Sequence, residues 1–243
     1  MMGSLKKIIN KFFLEKLEFV RFSVNRNDRA GILNKSWGLV FNNQLEGAYY
    51  EFGIYKGESF IESWKEYLKF KRWSQAQLAS PEAWRRDIMK RYVAYEHAFY
   101  GFDTFEGLPS NNEGSRAFQK GGYLSSFEEV EAKCRSIGVR HTLFKGRFCD
   151  IPDETIGKLQ PAAIINIDSD LYLSARDALE KVKDKFQQGT ILLMDDYNCF
   201  LASDSQGERR ALREFCERYP RFRFEPWTMY LYAGQAFICH LQK

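Results

Sequence analysis

The chain has 243 residues and a net charge of +4, which suits one large domain or two small ones. Hydrophobic residues make up 44% of it and aromatic residues 16%, so it can build a substantial core. Its charge is too mild to indicate nucleic-acid binding. No run approaches the roughly 20 apolar residues of a membrane span. Five cysteines without a close pair are typical of a reducing compartment, so we expect a cytoplasmic protein with no transmembrane segment.

Residues 1–45 predict an N-terminal helical extension, with the main domain at 46–243. Within the extension, residues 4–22 predict an amphipathic helix whose apolar face is interspersed with lysines. Such a helix packs on its own domain, packs on a second subunit or lies on a membrane surface. We favour packing, and a homodimer.

The first core strand is predicted at 49–52, and Gly53, Gly57 and a helical pattern follow it. A strand, glycine turn and helix in this order let a ligand approach the backbone and the helix N-terminus. Residues 65–97 are long, charged and aromatic, and they predict a helical insertion. A lid, a dimer element and a solvated helical hairpin all remain open for it.

The second strand is predicted at 99–102 and ends at Asp103, where an acid can accept both hydroxyls of a ribose. Residues 110–122 are rich in Gly, Asn and Ser and predict a mobile loop. A capping box at Ser126–Glu129 predicts the start of the next helix. A short third strand is predicted at 142–144.

Two aspartate clusters each follow an apolar run of strand length, and Asp168 and Asp195 are 27 residues apart. Between the clusters, a capping box at 174–177 and apolar residues at helical spacing predict a helix. Residues 162–196 therefore predict a strand, a helix and a parallel strand, joined by a right-handed crossover. Both clusters would then share one edge of the sheet.

Carboxylates crowded at one sheet edge repel one another, and oxygen-only ligands favour a hard cation such as Mg²⁺ or Ca²⁺. The alternative is that each acid only caps a loop or a helix start, which we would favour for a lone aspartate.

A helix at 207–219 and strands at 222–224 and 235–240 complete the predicted α/β pattern.

Three stretches together resemble the macrocin O-methyltransferase family (TylF/MycF/NovP type). They are 51–57 (EFGIYKG), 101–109 (GFDTFEGLP) and 167–172 (IDSDLY) with 195–197 (DDY). The resemblance covers roughly residues 45–240. It implies a Rossmann-like class I methyltransferase fold with a mostly parallel central sheet flanked by helices. It also implies transfer of a methyl group from S-adenosylmethionine to a hydroxyl, with Mg²⁺ or another hard divalent cation, on a sugar of a natural product or polysaccharide.

The resemblance also implies roles for matching positions. The cosubstrate would contact Glu51, Gly53, Gly57, Ser59, Asp103, Thr104, Gly146 and Arg147, with Asp103 on the ribose. The metal ligands would be Asp168, Asp195 and Asp196, and Asp170 would be the general base. Departures at Ser174–Ala175 and Asn198 put the acceptor pocket in doubt more than the chemistry.

Two other functions remain open. The Asp168-Ser169-Asp170 motif also resembles the metal site of nucleotide-sugar glycosyltransferases, but that interpretation leaves the 51–57 turn and the second cluster unexplained. A non-catalytic protein that keeps the fold would be expected to have lost ligands or glycines, and none is lost.

Overall fold

The computed structural model describes residues 28–242, with a seven-stranded sheet at its centre. The strands, numbered along the chain, are β1 Ala48–Phe52, β2 Phe99–Asp103, β3 His141–Lys145, β4 Ala162–Ile167, β5 Ile191–Met194, β6 Phe222–Tyr230 and β7 Gly234–Leu241. Their order across the sheet is β3-β2-β1-β4-β5-β7-β6. The first five are parallel, whereas β7 runs antiparallel to both of its neighbours.

Helices cover both faces of this sheet. The longer ones are α1 Asp28–Asn43, α2 Glu58–Gln77, α3 Ala83–Ala94, α4 Phe127–Ile137, α5 Tyr172–Val182 and α6 Gly207–Arg218. A 3₁₀ turn lies at Phe148–Asp150, and short helical turns lie at Asp153–Gly157 and Cys199–Ala202. The α/β class and the mostly parallel sheet are as predicted.

The central strands are buried on both faces, which explains their continuous apolar sequences. Every residue of β1, β4 and β5 is buried. Successive side chains point to opposite faces, so Tyr49 packs in the core that includes residues of α1 and α2, and Tyr50 packs in the core that includes residues of α5 and α6. This burial fixes the positions at which the parallel strands end.

Two details differ from the sequence predictions. Helix α5 begins at Tyr172, with Leu171 as its N-cap, so the capping box predicted at 174–177 lies inside the helix and was wrong. Strand β6 is longer than predicted because Pro226 lies in an edge strand, where a missing backbone N–H is tolerated. In contrast, Ser126 caps α4 as predicted and accepts from the Glu129 backbone N–H at 3.2 Å.

The N-terminal region is only partly described. The helix predicted at 4–22 lies outside the described residues. Helix α1 does lie within the predicted extension, and it packs against α2 through a face that includes Leu33, Trp37 and Phe41. The boundary between extension and main domain stays a prediction. In the part of the chain that the structure describes, no helix is long and apolar enough to cross a membrane.

Candidate functional site

A cavity of about 570 Å³ opens at the carboxyl edge of the parallel strands. Both aspartate clusters and the glycine turn after β1 border it. Of the residues singled out in the sequence, the lining includes Gly53, Ser59, Asp103, Thr104, Arg147, Asp168, Asp170, Asp195 and Asp196. Open parallel sheets bind ligands at this edge, so the fold brings these residues to the position where a ligand is expected.

Asp103 ends β2 with its carboxylate held by two backbone amides. Its Oδ2 accepts from the Tyr55 N–H at 2.8 Å, and its Oδ1 accepts from the Phe105 N–H at 2.7 Å. Burial raises the pKa of Asp103 above its ordinary value, and these N–H groups oppose that shift. Because each oxygen keeps a free lone pair, the side chain is oriented to accept hydrogen bonds from a ligand.

Glu51 is fully buried in β1, beneath the cavity. Its carboxylate accepts from the Ser59 hydroxyl at 2.5 Å and from the Tyr49 hydroxyl. Burial raises the pKa of Glu51 to about 7, although both hydroxyl groups oppose the rise. Ser59 borders the cavity and Glu51 does not, so the hydroxyl connects the buried acid to the ligand space.

Two of the predicted glycines, Gly53 and Gly57, have positive φ angles next to the cavity. Gly53 has φ +90°, and a Cβ there would come within 1.8 Å of the Asp168 carbonyl oxygen. Gly57 has φ +74° and is the N-cap of α2. Gly146 donates its N–H to the Asp103 carbonyl at 2.9 Å, next to Arg147. Gly57 and Gly146 lie beside the cavity without lining it.

Asp168 and Asp195 lie side by side because the backbone pairing continues one residue past the strands. The Asp168 N–H donates to the Phe52 carbonyl at 2.9 Å, and the Asp195 N–H donates to the Ile167 carbonyl at 3.0 Å. Together with Asp196, each offers one carboxylate oxygen, and these oxygens all lie within 4.8 Å of one another. Opposed oxygen ligands of a hard divalent cation are about 4 to 5 Å apart, so the donor set fits such an ion.

Arg29 of α1 reaches into this group of acids. Its Nη1 lies 3.0 Å from Asp168 Oδ2, and its Nη2 contacts Asp195 Oδ2. Burial alone would lower the pKa of Arg29, but the two carboxylates raise it above its ordinary value. The residue was missed in the sequence because a single arginine before an apolar helical pattern carries no distinguishing signal.

Even with Arg29 in place, ionisation of the acids at this edge is disfavoured. Burial and the Asp195 carboxylate raise the pKa of Asp168 well above its ordinary value. Burial also raises the pKa of Asp195 to about 6, against the opposing effect of Arg29. One guanidinium therefore does not offset the burial of these acids and the repulsion between them.

Asp170 follows in a left-handed backbone conformation, with φ +62°, that turns its side chain into the cavity. Burial, with the carboxylates of Asp196 and Asp168, raises the pKa of Asp170 to about 9. A carboxylate with a raised pKa is a stronger proton acceptor when it is ionised. The position in the cavity suits a general base, provided that a bound cation offsets the neighbouring charges so that Asp170 is ionised.

Glu208 is a further acid that the sequence analysis missed. It is completely buried in the first turn of α6, and its carboxylate accepts from the Asp196 N–H at 3.1 Å and from the Ser169 N–H at 3.5 Å. Burial and the Asp196 carboxylate raise the pKa of Glu208 well above its ordinary value. It thus joins the two loops that carry the acids. An acid in the first turn of a helix ordinarily stabilises the positive end of the helix dipole. Nothing in the sequence therefore indicated that Glu208 links these two loops.

The predicted insertion forms the end of α2 and all of α3, packed against each other. Among the described residues, none of 65–97 lines the cavity. In this structure the insertion therefore does not cover the cavity, and whether it is a dimer element, a lid in another state or a solvated hairpin stays a prediction.

Comparison with known sequences points in one direction. A family model described as macrocin-O-methyltransferase (TylF) matches residues 84–218, which is more than half of the chain. A curated relative from Streptomyces olivaceus is 32% identical over 107 residues and is described as 8-demethyl-8-(2,3-dimethoxy-alpha-L-rhamnosyl)-tetracenomycin-C 4'-O-methyltransferase. The match covers 39% of this chain, and the chain spans only 40% of that relative's length.

Solved structures share the fold. The O-methyltransferase NovP superposes with a TM-score of 0.62 at 17% identity, over 87% of this chain and 79% of NovP. The calicheamicin methyltransferase CalS11 gives 0.56 at 18% identity, over 86% of this chain and 77% of CalS11. An O-methyltransferase from Bacillus cereus, solved with SAH, gives 0.52 at 15% identity, over 95% of this chain and 90% of that one.

Proposed function

Because the chain belongs to the macrocin-O-methyltransferase (TylF) family, we propose that it transfers a methyl group from S-adenosylmethionine to a sugar hydroxyl. The sugar would be part of a natural product or a polysaccharide. One observation carries the proposal: a single cavity joins the Asp103 carboxylate, the glycine turn after β1 and the aspartate clusters. A donor and an acceptor can therefore occupy it together.

In this proposal the cosubstrate lies over the ends of β1 and β2. The Asp103 carboxylate, already oriented by two amides, accepts hydrogen bonds from the ribose hydroxyls. Gly53 gives the ligand room beside the backbone, and Ser59 with the buried Glu51 binds the methionine end. Thr104 and Arg147 line the same cavity toward the nucleoside.

We propose that Asp168, Asp195 and Asp196 hold Mg²⁺ or another hard divalent cation, because their oxygens fit one in number and spacing. A bound cation of this kind orients a hydroxyl and makes it more acidic. Arg29 shares two of these carboxylates, so it would have to release at least one of them when the cation binds.

Asp170 is proposed to take the proton of the acceptor hydroxyl. It lines the cavity beside Asp168 and Asp196, whose charges favour the protonated product of that step. The surrounding residues then need only align the hydroxyl oxygen with the methyl group and the sulfur, which is catalysis by proximity. The test is Asp170→Asn: near-full turnover with unchanged cation affinity would rule out Asp170 as the base.

The first experiment is calorimetric titration of S-adenosylhomocysteine into the protein, with Asp103→Ala as the matched variant. Micromolar binding that the variant loses supports the proposal. The absence of binding to the folded wild-type protein would overturn it. TDP-rhamnose is the first acceptor to assay, with and without Mg²⁺, because CalS11 is described as a TDP-rhamnose 3'-O-methyltransferase.

The glycosyltransferase alternative is weaker, because the family matched and the structures named above are methyltransferases. It would also leave Asp103 and the glycine turn without a role.

For location and assembly we propose a homodimer in the cytoplasm. All five cysteines are free, which a reducing compartment favours. Light scattering tests the assembly, and a monomer mass would contradict it.

A further inference from the structure

Residues 104–123, here called the flap, connect β2 toward α4 and cover one side of the cavity. Its lining residues include Leu108, Phe118, Lys120 and Tyr123. The flap is folded on itself: the Leu108 N–H donates to the Gly122 carbonyl at 2.8 Å, and the Gly121 N–H donates to the Leu108 carbonyl at 2.9 Å. These two hydrogen bonds hold the two arms of the flap together.

One side chain ties the middle of this flap to the body of the protein. Glu113 Oε1 accepts from the Tyr172 N–H at 2.7 Å, and its Oε2 accepts from the Gly207 N–H at 3.0 Å. The Gln206 side-chain amide also donates to the Glu113 carbonyl at 3.1 Å. A single half-buried carboxylate thus receives two backbone donors that lie far apart in the sequence.

The two donors are the first residues of α5 and α6. The first N–H groups of a helix lack partners within it, and this end carries a partial positive charge. The N-caps Leu171 and Gln206 supply no side-chain hydrogen bond at either helix. Glu113 takes over this function for both helices at once, so its negative charge is bound at two favourable positions.

These two helices are also the ones that follow the acidic clusters. Helix α5 begins two residues after Asp170, and α6 carries Glu208, which accepts from the Ser169 and Asp196 backbone amides. An apolar contact reinforces the attachment, since the ring of the buried Phe118 lies 5.7 Å from that of Phe200. Glu113 therefore attaches the flap to the starts of α5 and α6, and Glu208 attaches α6 to the loops that carry the two clusters.

We propose that Glu113 is a latch that holds the flap closed over the acceptor side of the cavity. It is a positioning residue, because it contacts the helices and not the reacting atoms. The role in methyl transfer rests on the proposed function, whereas the latch itself is a property of the fold. A closed flap excludes water and keeps the acceptor hydroxyl near Asp170. Release of Glu113 would admit a bulky sugar.

Limited digestion with trypsin measures flap opening directly. Arg116 and Lys120 are exposed cleavage sites within the flap, and Lys90 and Arg91 on α3 serve as the internal reference in the same digest. Glu113→Gln keeps the size of the side chain, but its amide oxygen can serve one N–H and its NH₂ group repels the other. We expect flap cleavage about tenfold faster than in the wild type, with unchanged cleavage on α3.

Two further variants complete the test. Glu113→Asp keeps the charge but is too short to reach both helices. Its rate of flap cleavage should therefore lie between those of the wild type and Glu113→Gln. Glu154→Gln changes an exposed acid that pairs with Lys158 and lies outside the flap, and its flap cleavage should match that of the wild type. Equal flap cleavage in wild type and Glu113→Gln would overturn the latch. Should Glu113→Gln fail to fold, amide hydrogen exchange in the wild type decides: the Tyr172 and Gly207 amides must be protected, and fast exchange there overturns it.

Failure of the latch and failure of the proposed function are separable. Calorimetry with S-adenosylhomocysteine on the wild type judges the function, and the digestion judges the latch. With TDP-rhamnose as the acceptor probe, Glu113→Gln should raise the acceptor KM about tenfold while the affinity for S-adenosylhomocysteine stays within about twofold. A loss of both affinities together would indicate general damage and would contradict a positioning role.

Discussion

The two ends of the parallel sheet bury polar groups in opposite ways. At the amino end, the His97 ring lies in a cluster of aromatic side chains, with Nδ1 bonded to the Gly47 carbonyl and Nε2 3.0 Å from the Tyr92 hydroxyl. Nearby, Trp37 donates to Ser63 at 3.0 Å. At the carboxyl end, four aspartates and Glu208 lie close together, and Arg29 pairs with two of them, Asp168 and Asp195.

This difference separates the two ends by function. The groups at the amino end satisfy one another as neutral partners, so that end is complete as folded. The acids at the carboxyl end raise one another's pKa because their ionised forms repel one another, and a bound cation would relieve that repulsion. Perturbed pKa values in a cavity mark functional sites more often than they mark stable cores.

The largest expected effect comes from removing a carboxylate of the cation site. Asp195→Asn should reduce Mn²⁺ affinity by about a hundredfold or more and abolish metal-dependent turnover, because one of three anionic ligands is lost. Mn²⁺ titration followed by electron paramagnetic resonance measures it. Asp204→Asn, an exposed change near α6, is the control. Wild-type Mn²⁺ affinity in Asp195→Asn would mean that the cluster is not a cation site.

Substitution of Glu208 should disturb the loops that carry the cation ligands without removing a ligand. Glu208→Ala should lower Mn²⁺ affinity by about ten- to a hundredfold, since the loops of Ser169 and Asp196 lose their common acceptor. Glu208→Gln should lose less Mn²⁺ affinity than Glu208→Ala, because glutamine keeps the shape of the side chain and one acceptor oxygen. If both variants bind Mn²⁺ like the wild type, Glu208 does not position the clusters.

At the amino end of the sheet, His97 should make the free energy of unfolding depend on pH. Burial lowers the pKa of His97 from 6.5 to about 4, so the unfolded chain binds a proton at pH values where the folded chain does not. This contribution to stability is complete above pH 6.5 and is lost as the pH falls toward 4. Between about pH 8 and pH 5 the free energy of unfolding should fall by about 2 kcal/mol on this account.

Urea unfolding at several pH values measures that slope, with His97→Gln as the matched variant. The variant should be less stable at neutral pH but show a flatter dependence over this range. Equal slopes in the two proteins would mean that His97 titrates normally in the folded state.

The smallest expected effect is at Arg29, where a gain is predicted. Arg29→Met should tighten Mn²⁺ binding by about tenfold, because the guanidinium no longer competes for Asp168 and Asp195. Lys35→Met, an exposed change on the same helix, should leave the affinity unchanged. Weaker binding in Arg29→Met would show that Arg29 supports the cation site.

Much of the carboxyl end could be predicted from the sequence. A parallel sheet aligns the ends of neighbouring strands, so apolar runs that finish in Asp168 and Asp195 had to meet at one edge. The helix between them was predicted too, although its first residue was not, because the Ser174 capping box competes with a start at Tyr172. Local patterns fix the existence of an element more firmly than its ends.

The sequence by itself determined the sheet, the turn at Gly53 and the acids of the cavity, because strand burial and chain direction are encoded in local periodicity. Only the tertiary structure decided that Arg29, Glu113 and Glu208 join them. Arg29 and Glu113 come from segments distant in the chain, Glu208 follows Asp196 by 12 residues, and each looks like an ordinary charged residue of a helix or loop. Their roles arise from long-range contacts with backbone amides and carboxylates, and such contacts leave no periodic trace in the sequence.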